Sequence, residues 1–371
     1  MRLRSDRRLA AVVGYALACC AACSDADPGA REAILFAPAG NDLDAYSTGD
    51  TVVAQTVIRN AKDAPRGRDI NGQVCFAPDG SRTFVAGDDT GQPTSPAGFG
   101  VFRLTGDAVG ELSATQIGKL VPTYQPSSDA PDPFGCGFLS DGRLVTTDIG
   151  DNATGPANGQ VILWFPPLDV AGPSYCKLDV AVGTAGTVYV DAEDRVHVAS
   201  SRVTPGVLRY TNLPTSDDAA GGCGARDVTG APLATDVVRE LLIRTDANLP
   251  TANGVAGAPG GGFYVSSVVA GVIAEFDASG SFVRHVLAPP AGETLGPEPI
   301  STGTPLGIAV DASGTLYYAD LGLVVRGGTI GPGPGLGTVR RIRFTADGVP
   351  LSPEIMASGL DFPDALGVLE P

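Results

Sequence analysis

The chain stops partway through a copy of its own repeat. The stretch PLGIAVDASGTLYYAD, from Pro305, is one instance of a pattern that recurs along the sequence, and PDALGVLE, from Pro363, starts the pattern again just before the C-terminus. A strand begun there has no room for hairpin partners of its own. The unpaired strand-like segments lie at the other end: AILFA from Ala33, LDAYS from Leu43 and TVVAQTVI from Thr51. The two ends of the chain must therefore complete one sheet, which bends the repeats between them into a closed ring.

Each copy carries an apolar run, a tight turn and a second run rich in Val, Tyr and Thr, the pattern of a β-hairpin. The turns fall at Asp79-Gly80, Asp141-Gly142, Glu193-Asp194, Gly260-Gly261 and Ser313-Gly314, where Gly and Asp tolerate the positive φ of hairpin turns. Aligned on them, first strands start near Gly72, Phe134, Gly186, Asn253, Leu306 and Asp364, about 52 to 67 residues apart. Two more strands fit most periods, as GVIAEFD from Gly271 with FVRHVLA from Phe282, and TVRRIRF from Thr338 with VPLSPEIM from Val349. Four antiparallel strands per period make a propeller blade. The expected fold is all-β, a six-bladed β-propeller whose last blade joins the C-terminal inner strand to three N-terminal strands and leaves no open edge at the seam. A β-sandwich would need neither the long period nor a lone terminal strand. With 371 residues, 50 Gly, 30 Pro and no long helical periodicity, the chain suits one large domain, because blades bury their faces only against one another.

The opening residues, MRLRSDRRLAAVVGYALACCAACSD, set Arg2, Arg4, Arg7 and Arg8 before a small-residue apolar run from Leu9 to Ala22, the layout of a secretory signal. The run is shorter than a bilayer span needs. The expected division is a leader over 1–22, a linker over 23–32 and the propeller over 33–371. Cys19, Cys20 and Cys23, followed by Ser24 and Asp25, resemble a bacterial lipobox. The expectation is an exported protein, either a cell-envelope lipoprotein or a periplasmic or extracellular one, that meets the membrane only through an N-terminal lipid anchor.

Formal charge is −16; losing the leader removes four Arg and Asp6 and leaves −19. Such a surface repels phosphate backbones, which excludes nucleic acid as a partner, and attracts cations. Four cysteines follow the leader. Cys75 and Cys136, on inner strands of neighbouring repeats, differ by one residue on turn alignment and so point to opposite faces, which reads as two buried thiols. Cys176, on an outer strand, and Cys223, in a glycine-rich loop of the next repeat, are the better candidates for a bridge in an exported compartment.

In a propeller the starts of the inner strands and the loops between second and third strands share one face around the central channel. Insertions gather there, at 90–98, 150–159 and 321–336, with 289–304 leading into an inner strand, and long loops on a rigid scaffold commonly carry function. Second strands end in acids, at Asp88 and Asp89, at Asp148 with nearby Asp151, and at Asp320. An acid there commonly caps a turn, while three around one face raise the local affinity for cations. At the inner-strand starts, Phe134, Asn253, Leu306 and Asp364 align towards the channel, and Asn71 sits one residue away, a gap that a bulge closes. Asn253, Asp364 and Asn71 are hard oxygen donors from separate blades, which makes Ca2+ the one cofactor to which the residues point. Hydrogen bonding to strand ends and water is their competing role. His197 sits mid-strand and His285 on an outer strand, both packing positions. The chain has no Gly-x-Ser-x-Gly elbow, His-Glu-x-x-His motif or phosphate-binding Gly-Lys-Ser/Thr loop.

Over nearly all of the sequence past the leader, this blade pattern resembles the six-bladed propellers of the SMP-30/gluconolactonase (regucalcin-like) and NHL-repeat type. The resemblance implies a central divalent metal, usually calcium, held by a Glu of an early inner strand, an Asn in an Asn-Gly pair and an Asp in a Pro-Asp-Gly start one blade later. Asn253-Gly254 matches the Asn. Pro305-Leu306-Gly307 carries Leu at the Asp position, no early inner strand offers the Glu, and Asp364 would stand in from the following blade. The expected function is therefore binding of a small-molecule, glycan or protein ligand at the loop-rich face. The alternative is a calcium-dependent lactonase or esterase in which Asp364 or Asp148 assists water attack. A quinone-dependent sugar dehydrogenase, which wants a catalytic His and basic groups near the channel, ranks last.

Overall fold

The hairpin turns close as their residues require. In the computed structural model Gly80, Gly142, Asp194, Gly260, Gly261 and Gly314 all take positive φ, from 58° to 94°. The structure describes residues 32–60, 69–89, 97–127, 130–150 and 158–371, and none of these is helical. The leader with Cys19, Cys20 and Cys23, most of the 90–98 and 150–159 loops, and Asp151 lie outside the described residues.

Six blades result, each built on four antiparallel strands. Blade 1 runs from the channel outward as Ile70–Phe76, Thr83–Asp88, Gly98–Thr105 and Ser113–Leu120. Blade 2 is Pro133–Phe138, Leu144–Asp148, Gly159–Trp164 and Tyr175–Val182. Blade 3 is Ala185–Val190, Val196–Ser200, Gly206–Thr211 and Val238–Arg244. Blade 4 is Gly254–Ala258, Gly262–Ser267, Val272–Phe276 and Phe282–Leu287. Blade 5 is Pro305–Val310, Leu316–Asp320, Gly337–Ile342 and Glu354–Leu360, with a hairpin of Leu323–Arg326 and Thr329–Pro332 between its second and third strands. Blade 6 is the predicted composite: Gly367–Leu369 innermost, then Ile34–Ala39, Asp42–Ser47 and Ala54–Ile58.

The seam is a short antiparallel ladder, Phe36 opposite Gly367, Leu35 opposite Val368 and Ile34 opposite Leu369. Its core consequence is visible in the packing: apolar residues gather at the interfaces between blades. Phe36, Leu43 and Ala45 of blade 6 meet Ile70, Phe84 and Phe102 of blade 1, and Leu35, Ala37 and Tyr46 of blade 6 meet Tyr317, Ala319 and Val339 of blade 5. Four further clusters fill the remaining interfaces around the ring. Gly367 lies so close to blade 1 that an added Cβ would stand 2.1 Å from the Val74 carbonyl oxygen.

Two disulfides fasten three of the blades. Cys176 of blade 2 joins Cys223 of the blade 3 loop, as expected. That loop also adds the strands Ala225–Arg226 and Pro232–Leu233 to the edge of blade 2, and drives Asp227 onto Lys177 at 2.6 Å with both side chains fully buried. Cys75 and Cys136, expected as free thiols, are bonded to each other. They do face opposite ways on their own blades, but neighbouring blades in a ring present opposite faces to each other. Both cysteines therefore point into the shared cluster with Val85, Leu144 and Trp164.

Peptide mapping under non-reducing conditions should return the pairs Cys75–Cys136 and Cys176–Cys223; a Cys75–Cys176 product would contradict this arrangement. Gly367→Ala should lower stability by about 3 kcal/mol through the forced contact with Val74, measured by denaturant unfolding.

Candidate functional site at the channel mouth

One residue from the start of each inner strand, Asn71, Phe134, Gly186, Asn253, Leu306 and Asp364, lines a single cavity of 380 Å³. Asn71 reaches it through the expected bulge. Asn71 pairs with Gly87 and Cys75 with Val85, so three inner-strand residues stand against one on the partner. The bulge needs glycine at position 72, which takes φ +69° and where a Cβ would meet the Phe134 carbonyl oxygen at 2.2 Å. Freed from the ladder, the Gly72 N–H donates instead to Asp364 Oδ2 at 3.1 Å.

Asp364 is 4% exposed, and its second oxygen, Oδ1, has no hydrogen-bond partner. Burial lifts its carboxyl to about 7; the Gly72 N–H opposes the rise and the Asp132 carboxylate adds to it. Asn71 Oδ1 and Thr184 Oγ1, on the same cavity, are likewise buried without partners. Asn253 differs: its Oδ1 accepts from the Val268 N–H at 3.1 Å and from the Thr251 hydroxyl at 2.8 Å. Leu306 rests on Val268, Leu295, Leu321 and Leu323, so the blade 5 hairpin and the 289–304 loop back this side of the mouth with apolar side chains.

The acids that end second strands sit behind the wall of the cavity. Asp88, Asp148 and Asp320 each accept from the backbone N–H just before an inner strand, at Asp69 (3.4 Å), Asp132 (2.8 Å) and Thr304 (2.7 Å). Each is also held from the outer strands, by Lys119 Nζ at 3.1 Å, Gln160 Nε2 at 3.1 Å and Arg340 at 2.9 Å. They brace the inner strands at the mouth. Burial raises Asp148 to about 6 against the bonds from Asp132 and Gln160.

Asp132 and Thr184, which do line the cavity, were not singled out from the sequence, although each immediately precedes an inner strand. Asp89 lines it too, and is raised to about 7 by burial and by the carboxylates of Asp132, Asp69, Asp88 and Asp148. His197 is buried against Tyr189 and Phe263 with Nε2 2.9 Å from Asp191, and His285 bonds the Asn248 carbonyl oxygen; neither lines the cavity.

Calcium takes six to eight oxygen ligands. The cavity wall carries Asp364 Oδ1, Asn71 Oδ1 and Thr184 Oγ1 and the carboxylates of Asp89 and Asp132, the Asn253 oxygen is engaged elsewhere, and no three His, Cys, Asp or Glu side chains are grouped closely enough among the described residues to hold a metal ion. As it stands, this set falls short of calcium's shell.

No family model matches the chain, and no curated protein matches it. Solved structures do match. A luciferin-regenerating enzyme is 12% identical, covering 90% of this chain and 91% of that one, with a TM-score of 0.55. A protein of unknown function from Bacteroides caccae is 11% identical, covering 92% and 100%, with a TM-score of 0.50. A gluconolactonase from Xanthomonas campestris is 14% identical, covering 78% and 83%, with a TM-score of 0.44. The first two likenesses are likenesses of fold.

Between pH 3.8 and about 7 the folded chain keeps the Asp364 proton that an unfolded chain has lost, so this group's contribution to stability falls as pH rises through that window and levels off above it. Asp364→Asn removes the titration. Its stability relative to the parent should therefore climb by about 2–3 kcal/mol from pH 5 to pH 8, followed by thermal melting; a pH-independent difference would contradict a buried titrating carboxyl.

Proposed function

We propose that this chain is an exported propeller that binds a small molecule in the cavity at the insertion-bearing mouth of its channel, with Asp364 as the polar anchor and Asn71 and Asn253 beside it. One observation carries the reading: a carboxylate oxygen buried on a cavity wall with no partner. Buried polar atoms are nearly always hydrogen-bonded, and an orphan facing a cavity is the trace of a partner that arrives from solution. The cavity has the size of a small-molecule site, and it lies on a rigid ring of inner strands. Two disulfides support export, as does the secretory-type leader, with lipidation at Cys20 or Cys23 as its membrane anchor.

A second reading, hydrolysis of a lactone or ester, is favoured by the position of the Asp364 carboxyl near 7, where a group exchanges protons readily at neutral pH. In that reading Asp364 is the acid–base group and Asp148 a positioning residue that holds Asp132, and a calcium ion, were one bound, would be held by Asp364, Asn71 and a reoriented Asn253 and would supply Lewis-acid polarisation of the carbonyl.

Thermal-shift screening of a small-molecule library should yield stabilising compounds whose effect disappears in Asp364→Asn. Compounds indifferent to that substitution would move the site away from the channel. Chelator-sensitive melting together with lactone or aryl-ester turnover lost in Asp364→Asn would decide for the hydrolase.

A further inference from the structure

The walls of the cavity are unevenly charged. Its acids, Asp89, Asp132 and Asp364, come from blades 1, 2 and 6, and no Lys or Arg is among the described residues that line it. Blades 4 and 5 stand opposite blades 1 and 2 across a six-blade ring, and they contribute Ala252, Asn253 and Leu306. Leu306 is the half-buried end, on the cavity, of the apolar cluster built by the blade 5 hairpin and the loop before it. Two aromatic rings, Phe134 and Phe362, also line the space.

From this asymmetry we infer that the ligand is an organic ammonium ion carrying an apolar body, with the ammonium at Asp364 and the acidic wall and the body against Leu306. The inference rests on the small-molecule reading above and names the chemical class. An ammonium brings three donors and no acceptor. Its nitrogen is served by the buried unpartnered oxygens Asp364 Oδ1, Asn71 Oδ1 and Thr184 Oγ1, and the Asp89 and Asp132 carboxylates add negative charge on the same wall. A carboxylate or phosphate ligand would meet three acids and no cation among the described lining residues. A polyhydroxyl ligand would leave the Leu306 wall uncovered and find no cation to donate strongly to its oxygens. The aromatic rings add a face to which an alkylammonium is attracted.

The test compares 2-phenylethylamine with 2-phenylethanol, methylamine, gluconolactone and CaCl2, titrated calorimetrically into the full chain at 150 mM NaCl. The expected result is 2-phenylethylamine binding at least tenfold tighter than either the neutral alcohol or methylamine, with tenfold or greater loss in Asp364→Asn and in Asp89→Asn. The second variant keeps the test open if the first perturbs folding, since Asp89 stands at the rim without the Gly72 contact. Equal binding of amine and alcohol overturns the charge assignment. Equal binding of the two amines overturns the apolar wall and leaves only attraction to an acidic protein. Tighter, Asp364-dependent binding of gluconolactone or Ca2+ overturns the amine class but preserves the site. Absence of any Asp364-dependent binding overturns the site itself.

Discussion

The structure depends on closing the ring, and the ring closes on three residues. Gly367–Leu369 pairs with Ile34–Phe36, and that ladder fixes blade 6 between blades 5 and 1. Because successive strand residues point to opposite faces, the single strand Ile34–Ala39 serves two interfaces: Ile34 and Phe36 enter the cluster with blade 1, while Leu35 and Ala37 enter the one with blade 5. Without the seam, the aromatic surface of blade 1 and the Tyr317–Ala319–Val339 surface of blade 5 would face water. Apolar burial is worth about 25 cal/mol per Å², so the loss would spread well beyond three residue pairs. The two disulfides continue the fastening around the ring, tying blade 1 to blade 2 and blade 2 to the blade 3 loop, one of whose short strands also pairs with the edge of blade 2.

The same closure creates the site. Asp364 lies at the start of the strand that seals the ring, and closure carries it against blade 1, where the bulge at Gly72 turns a backbone N–H towards it. Only one of its oxygens is satisfied. A buried, half-satisfied carboxyl costs stability, and groups of that kind concentrate where a protein has work for them. The strand-end acids Asp88, Asp148 and Asp320 have the opposite character: each is fully used in holding an inner strand to its own blade, so the mouth keeps its shape while the carboxylate beside it stays unpaired.

Leu306 sets the apolar character of one side of the mouth. Its neighbours Leu295, Leu321 and Leu323 come from the insertions that thicken this face. The insertions thus extend the core to the channel rim, and the acids of the mouth are left to the seam and to blades 1 and 2.

The sequence by itself determined the blades, their number, the composite sixth blade and five of the six inner-strand positions that meet at the channel, all but Gly186, because turns, strand alternation and a truncated repeat are local or periodic signals. The bulge at Asn71 and the Cys176–Cys223 bridge were legible for the same reason. Tertiary structure decided which oxygens are available: Asn253 and Asp364 occupy matching positions, yet one is taken by the Val268 N–H and the other left open. It also decided that Cys75 and Cys136 meet, and that Asp132 and Thr184 join the mouth. Such outcomes depend on which face of one blade meets which face of the next and on partners far apart along the chain. The bond from Gly72 to Asp364 spans 292 residues, and nothing local to either residue specifies it.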